Sequence, residues 1–112
     1  MDFWRGYLKT DIVIKKARHS SFINTHFEKI LIKNRIDTLV LTGVFIQGCV
    51  GLTAIDGYER DFNIVFSKDA TFSQEKKKAT DMLNFLKEEF DIVPISNSKI
   101  KKIVKLDYTP QN

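Results

Sequence analysis

The sequence predicts an α/β domain with a mainly parallel sheet and flanking helices, in a Rossmann-like three-layer arrangement. Short β-branched runs alternate with longer segments in which apolar residues recur at helical spacing. The run at 38–44 is apolar on both faces, which is typical of a buried parallel strand. The 112 residues suffice for one compact domain with its own core, so we expect a single domain over residues 1–112.

The first elements expected are a strand and a helix. Residues 11–15 form a short β-branched run that predicts the first strand. A helix is predicted from about Thr25 to Asn34, because Thr25 and Glu28 fit the capping-box pattern. Asn34 is suited to end this helix, because asparagine readily takes the left-handed backbone conformation that terminates helices.

A central strand and a second helix are expected next. The run at 38–44 predicts the strand, which we place in the middle of the sheet. A helix is predicted from Cys49 to about residue 60. Gly51 and Gly57 lie inside this helix, where each costs roughly 1 kcal/mol relative to alanine, so we expect them at points of close packing.

The remaining elements are a third strand, a long helix and a short fourth strand. Residues 62–66 predict the third strand. Ser73 is expected to cap the long helix, and Asp91 to end it. Residues 92–95 predict a short strand, and their proline places it at the edge of the sheet or makes it a strand end. Residues 96–112 fit no single element. The apolar stripe of the long helix comprises Ala79, Met82, Leu83, Leu86 and Phe90.

Composition and charge exclude several classes of protein. The hydrophobic content of 43% argues against disorder, and the apolar runs fall well short of the roughly 20 residues of a membrane span. The start of the chain lacks the apolar run of a signal peptide, so we expect a cytoplasmic protein without membrane contact. The net charge of +4 comes largely from lysines in 76–78 and 99–105, which we interpret as solvated helix faces, not as a nucleic-acid site.

The single cysteine, Cys49, is the lead candidate for a nucleophile. It follows an apolar strand where a helix pattern begins, and unpaired N–H groups of a first helical turn favour the thiolate. Lys16 also follows a predicted strand, so both groups are expected at the carboxyl edge of the sheet. Lys15 is the alternative if the register slips by one residue, and Cys49 could instead be a small buried apolar residue. His19 and His26 are expected to be surface or helix residues, and no second ligand pair supports a metal site.

Two motifs carry a resemblance to a known family. The first is residues 16–22, Lys-Ala-Arg-His-Ser-Ser-Phe, followed by Thr25. The second is residues 36–44 running into Cys49 and Val50, with Thr53-Ala54 and Asp69-Ala70-Thr71 further along. In order and spacing these motifs resemble the isochorismatase-like cysteine hydrolases, which include nicotinamidases and N-carbamoylsarcosine amidases.

The resemblance implies a chemistry and a set of site residues. Lys16 corresponds to the catalytic lysine and Cys49 to the nucleophile, and the peptide bond between Val44 and Phe45 is expected to be cis. The N–H groups of Phe45 and Cys49 would then face a developing oxyanion. The implied reaction is hydrolysis of a small amide or carbamoyl substrate through a thioester, with no cofactor.

The chain departs from the family pattern in several places. The family's first two strands, one of which carries a catalytic aspartate, have no counterpart before residue 11, so we expect a truncated domain. Asp11 should lie at the far end of its strand from Lys16, and Asp69 matches a non-catalytic family position, so the acid–base role is unassigned. Arg35 and Asp61 stand where the family has glycines before strands.

The expected gap in the sheet suggests a partner. Either residues 11–15 pair with the strand at 38–44, or a second copy or a complementing chain fills the gap. The alternative to an enzyme is a catalytically inactive relative that acts as an oligomeric binding or structural module. A third hypothesis is that the chain is the downstream half of a split gene product.

Overall fold

The computed structural model describes residues 11–107 and has the α/β class that the sequence predicts. Parallel strands are flanked by helices that pack on them through apolar side chains. No helix in the described range is both long and apolar enough to cross a membrane. In chain order the elements are α1 (Phe27–Lys33), β1 (Thr38–Val44), a π-helical turn (Ile46–Val50), α2 (Gly51–Glu59), β2 (Asn63–Phe72), α3 (Lys76–Phe90) and α4 (Asn97–Asp107).

The sheet of the described residues consists of β1 and β2. They run parallel, with Thr38 opposite Asn63 and Leu41 opposite Phe66, and the register changes between Leu41 and Gly43. β1 has the predicted bounds, but β2 is its single neighbour within residues 11–107. The central position predicted for this strand is therefore wrong for the described part of the chain.

Two predicted strands are wrong. Residues 11–15 form no strand and do not pair with β1, and Ile12 and Val13 are exposed. Their β-branched side chains favour a strand only where a neighbouring strand covers them, and here none does among the described residues. Residues 92–95 contribute one bridge, between Ser67 and Ile95, instead of a strand.

Helix α2 packs between the sheet and α3. Ala54 of α2, Phe66 of β2 and Leu86 of α3 are almost completely buried in this core. Gly57 permits the close approach of α2 to the sheet, because a Cβ there would lie 2.8 Å from Cδ1 of Ile64. The expectation of close packing at this glycine is confirmed.

The helix ends differ in detail from the predicted caps. The capping box at α1 does not form: His26 is the N-cap, the Thr25 hydroxyl accepts the N–H of Phe27, and Glu28 pairs with Arg60 at 3.0 Å. The Ser73 hydroxyl accepts the N–H of Glu75, which is the N-cap of α3.

A residue with left-handed backbone follows each of the helices α1, α2 and α3. Asn34 has φ −90°, and it is Arg35 that takes the left-handed conformation, with φ 56°. The prediction of a left-handed Asn34 is therefore wrong. Asp61 also has a positive φ, so both positions at which the family has a glycine use left-handed backbone. Asp91, with φ 55°, ends α3 as predicted.

The conformation of Arg35 leads to a stability prediction. Arg35→Gly is expected to raise the free energy of unfolding by about 0.5–1 kcal/mol, because glycine avoids the steric cost of left-handed backbone but has more entropy when unfolded. Urea denaturation measures the change. Asn34→Gly is the control and should be destabilising, because Asn34 has negative φ and its amide bonds the Ile30 carbonyl. Destabilisation by Arg35→Gly would contradict the prediction.

Candidate active site

Cys49 lies in the π-helical turn that joins β1 to α2. The Phe45 carbonyl accepts the N–H groups of Gly48 and Val50, at 3.0 and 3.2 Å, which closes the turn. α2 begins two residues after Cys49, slightly later than predicted. The thiol therefore sits just before the amino end of a helix, at the carboxyl end of a strand.

Gly51 allows this turn to close. Its N–H bonds the Ile46 carbonyl, and a Cβ at this position would lie only 2.4 Å from that same oxygen. Met82 of α3 packs on the other side, 3.0 Å from such a Cβ. A side chain at residue 51 would displace backbone, so the position of Cys49 depends on this glycine.

The peptide bond between Val44 and Phe45 is cis, as the resemblance implies. Phe45 lies between the end of β1 and the turn that holds Cys49. The roles of the Phe45 and Cys49 N–H groups toward a substrate remain predictions.

Lys16 reaches Cys49 from a segment without regular secondary structure. Its ammonium group donates to the carbonyls of Arg18 and His19, at 3.0 and 2.9 Å, and to the sulfur of Cys49 at 3.5 Å. The neighbouring Lys15 is exposed. The structure thus brings together the two side chains that the sequence placed at one edge of the sheet.

The segment that carries Lys16 is anchored to the core a few residues later. Phe22 is buried, with its ring centroid 4.9 Å from that of Phe27 and 5.9 Å from that of Phe62. The N–H of Ser21 donates to the hydroxyl of the buried Thr53 in α2 at 3.0 Å. These contacts hold the loop of Lys16 against the helix that follows Cys49.

His19 is a second polar neighbour of the sulfur. Its Nδ1 lies 3.6 Å from Sγ of Cys49. Sequence reasoning expected a surface residue here, and the side chain is indeed exposed, but its contact with Cys49 was missed. The only available signal was that His19 lies inside the same motif as Lys16.

A cavity of about 240 Å³ opens beside the sulfur. This volume is below the range of roughly 300–1,000 Å³ typical of ligand sites, so it suits a small molecule. Its described lining contains hydroxyl groups, a thiol, an ammonium group and apolar side chains, but no carboxylate. The lining residues are Lys16, Ser21, Leu41, Thr42, Val44, Cys49, Val50 and Thr53.

Other candidates from the sequence have different surroundings. Asp69 accepts the N–H of Asn97 at 2.7 Å, at the start of α4. His26 is the N-cap of α1. Across residues 11–107, no group of three or more histidine, cysteine, aspartate or glutamate side chains is arranged to hold a metal ion.

Comparison with known proteins places these features in context. Residues 6–96 match the family model of the isochorismatase domain. A segment of 61 residues is 43% identical to ureidoacrylate amidohydrolase RutB of Methylorubrum extorquens, covering 54% of this chain and 25% of that protein. A segment of 59 residues is 39% identical to N-carbamoylsarcosine amidase of an Arthrobacter species, covering 53% of this chain and 22% of that protein.

A solved structure extends the match over most of the chain. An isochorismatase-like hydrolase from Alkaliphilus metalliredigens has a TM-score of 0.81 and 27% sequence identity. The alignment covers 91% of this chain and 57% of that one. The chain thus spans about a quarter of the curated relatives it matches and just over half of this solved structure.

Proposed function

The chain belongs to the isochorismatase family, and on that basis we propose that it is a cysteine-dependent hydrolase of a small amide or carbamoyl compound. Cys49 is the proposed nucleophile, and Lys16 is the cation that stabilises its thiolate. The observation that carries the proposal is the distance of 3.5 Å between Nζ of Lys16 and Sγ of Cys49. An ammonium group at that distance can balance the negative charge of the thiolate, which is the form that attacks carbonyl carbon.

The proposed reaction proceeds through a thioester. The Cys49 thiolate adds to the substrate carbonyl, ammonia or an amine leaves, and water then hydrolyses the thioester. The backbone N–H groups of Phe45 and Cys49 are the proposed donors to the oxyanion that forms in each step. Their place beside the nucleophile, at the end of β1 and in the π-helical turn, supports this assignment.

The substrate class is inferred from the relatives and from the cavity. The two curated relatives are named as an amidohydrolase and an amidase. The cavity beside Cys49 is lined in part by Ser21 and Thr42, and hydroxyl side chains of this kind can bond a carbonyl or amide group. A compact molecule with a terminal carbamoyl or carboxamide group fits this lining.

Ammonia release tests the proposal. The protein is incubated with an N-carbamoyl amino acid, a ureido acid and a primary carboxamide, and Cys49→Ser is compared with the wild type. We expect the wild type to release ammonia from at least one compound and the variant from none. Equal release by Cys49→Ser, or no release by the wild type from any compound, would contradict the proposal.

A second candidate function is an inactive module that binds another copy or a complementing chain. A groove of about 410 Å³ lies between the sheet and α4, and Val40 and Val104 on it are half exposed. Apolar exposure of this kind is common at protein interfaces. A stable dimer by light scattering, together with no ammonia release, would favour this candidate. The lining residues are Asp37, Thr38, Val40, Val65, Ile100, Ile103 and Val104.

A further inference from the structure

The proposed reaction needs an acid–base group close to the sulfur of Cys49. Thiol attack needs a proton acceptor, leaving-group departure needs a proton donor, and thioester hydrolysis needs a base for water. Within the described residues, the polar side chains recorded against Sγ of Cys49 are those of Lys16 and His19. The inference that follows rests on the proposed function.

Lys16 is unsuited to accept a proton. An ammonium group has three N–H donors and no lone pair. In this structure the donors are directed to the Arg18 carbonyl, the His19 carbonyl and the Cys49 sulfur. Lys16 is therefore placed to donate to the sulfur, and its contribution is electrostatic.

Carboxylates are also poorly placed. The described lining of the cavity contains none. The carboxylate of Asp69, which lies inside β2 and does not follow a strand as predicted, accepts the N–H of Asn97 at 2.7 Å. Among residues 11–107, the side chains next to Cys49 therefore offer a base of another kind.

His19 has the geometry of a proton acceptor. A neutral imidazole has one ring nitrogen with a free lone pair, and Nδ1 takes that role when the proton is on Nε2. Nδ1 lies 3.6 Å from Sγ of Cys49, and it also lies over Gly48, where a Cβ would be 3.9 Å away. The imidazole thus rests on the turn that carries the nucleophile, and the side chain is open to solvent, from which water can enter.

We propose that His19 is the acid–base residue of this site. Nδ1 takes the thiol proton to give the Cys49 thiolate, which bonds to the substrate carbonyl carbon as the carbonyl electron pair moves to oxygen. The same proton passes to the leaving nitrogen as the C–N bond breaks and the thioester forms. Nδ1 then takes a proton from water as hydroxide adds to the thioester, and this proton returns to sulfur as the C–S bond breaks.

Acyl transfer from p-nitrophenyl acetate tests this role without knowledge of the substrate. The release of p-nitrophenolate reports acylation of Cys49, and intact mass reports loss of the acetyl group. His19→Gln is expected to slow both steps by about a hundredfold, the low end of what general acid–base catalysis supplies. Added imidazole should restore much of the loss in His19→Gly. His26→Gln, which changes the other histidine of the chain, should react like the wild type.

The outcomes separate the two proposals. Wild-type rates in His19→Gln, with acylation abolished in Cys49→Ser, would overturn the role of His19 and leave the nucleophile in place. A slow His19→Gly that imidazole does not rescue, although circular dichroism shows it folded, would also overturn the role. Acylation of Cys49→Ser at the wild-type rate would overturn the proposed function itself.

Discussion

Replacing Lys16 by methionine is expected to slow the alkylation of Cys49 by iodoacetamide at neutral pH by about tenfold. A hydrogen bond to a charged group contributes about 1.5–3 kcal/mol, and exposure of Lys16 to solvent places the effect at the low end of that range. Methionine keeps the length of the side chain and removes its charge. The rate is measured by mass spectrometry of the protein after timed reaction with the reagent.

Lys15→Met is the matched control for this prediction. It removes the same charge one residue away, from a side chain that lies exposed. We expect it to leave the alkylation rate close to that of the wild type. If the two variants slow the reaction equally, the effect is one of net charge, and the specific role of Lys16 is wrong.

Truncation of Phe22 is expected to have the largest effect on stability. Phe22→Ala should lower the free energy of unfolding by about 3–5 kcal/mol, the cost of removing a buried aromatic ring. The ring packs on Phe27 and Phe62, and the Arg60 guanidinium lies 5.0 Å from its centroid. Urea denaturation measures the loss, and Phe85→Ala, which removes a half-exposed ring from α3, should cost much less.

The same variant links packing to chemistry. Phe22 anchors a segment without helix or strand, and Lys16 lies six residues before it in that segment. Loss of the Phe22 ring should therefore release Lys16 from the sulfur of Cys49. We expect the alkylation rate of folded Phe22→Ala to fall toward that of Lys16→Met. Phe22→Leu retains part of the packing and should be intermediate. An unchanged alkylation rate in a destabilised Phe22→Ala would show that other contacts hold the loop.

Patterns within short stretches of the sequence predicted strand β1 and helix α3. β1 has the bounds expected from its apolar run, and α3 follows its stripe and ends at Asp91. Asp61 takes left-handed backbone where the family has a glycine, but after α1 this conformation falls on Arg35 and not on the predicted Asn34.

The wrong or missed predictions concern features that depend on contacts between residues distant in sequence. Residues 11–15 have a β-branched composition but no neighbouring strand in the described range, and such a run forms a strand only with a partner. Thr25 and Glu28 fit a capping box, but Arg60 competes for the glutamate from the end of α2. His19 and Cys49 are 30 residues apart, and only the folded loop shows that they meet.

Identification of the acylated residue during turnover tests the central claim most directly. The protein is mixed with a compound from which it releases ammonia, quenched in acid, digested and analysed by peptide mass spectrometry. The account predicts an acyl group on the peptide that contains Cys49 in the wild type and none in Cys49→Ser. Ammonia release with no acyl group on Cys49, or with the group on another residue, would contradict it.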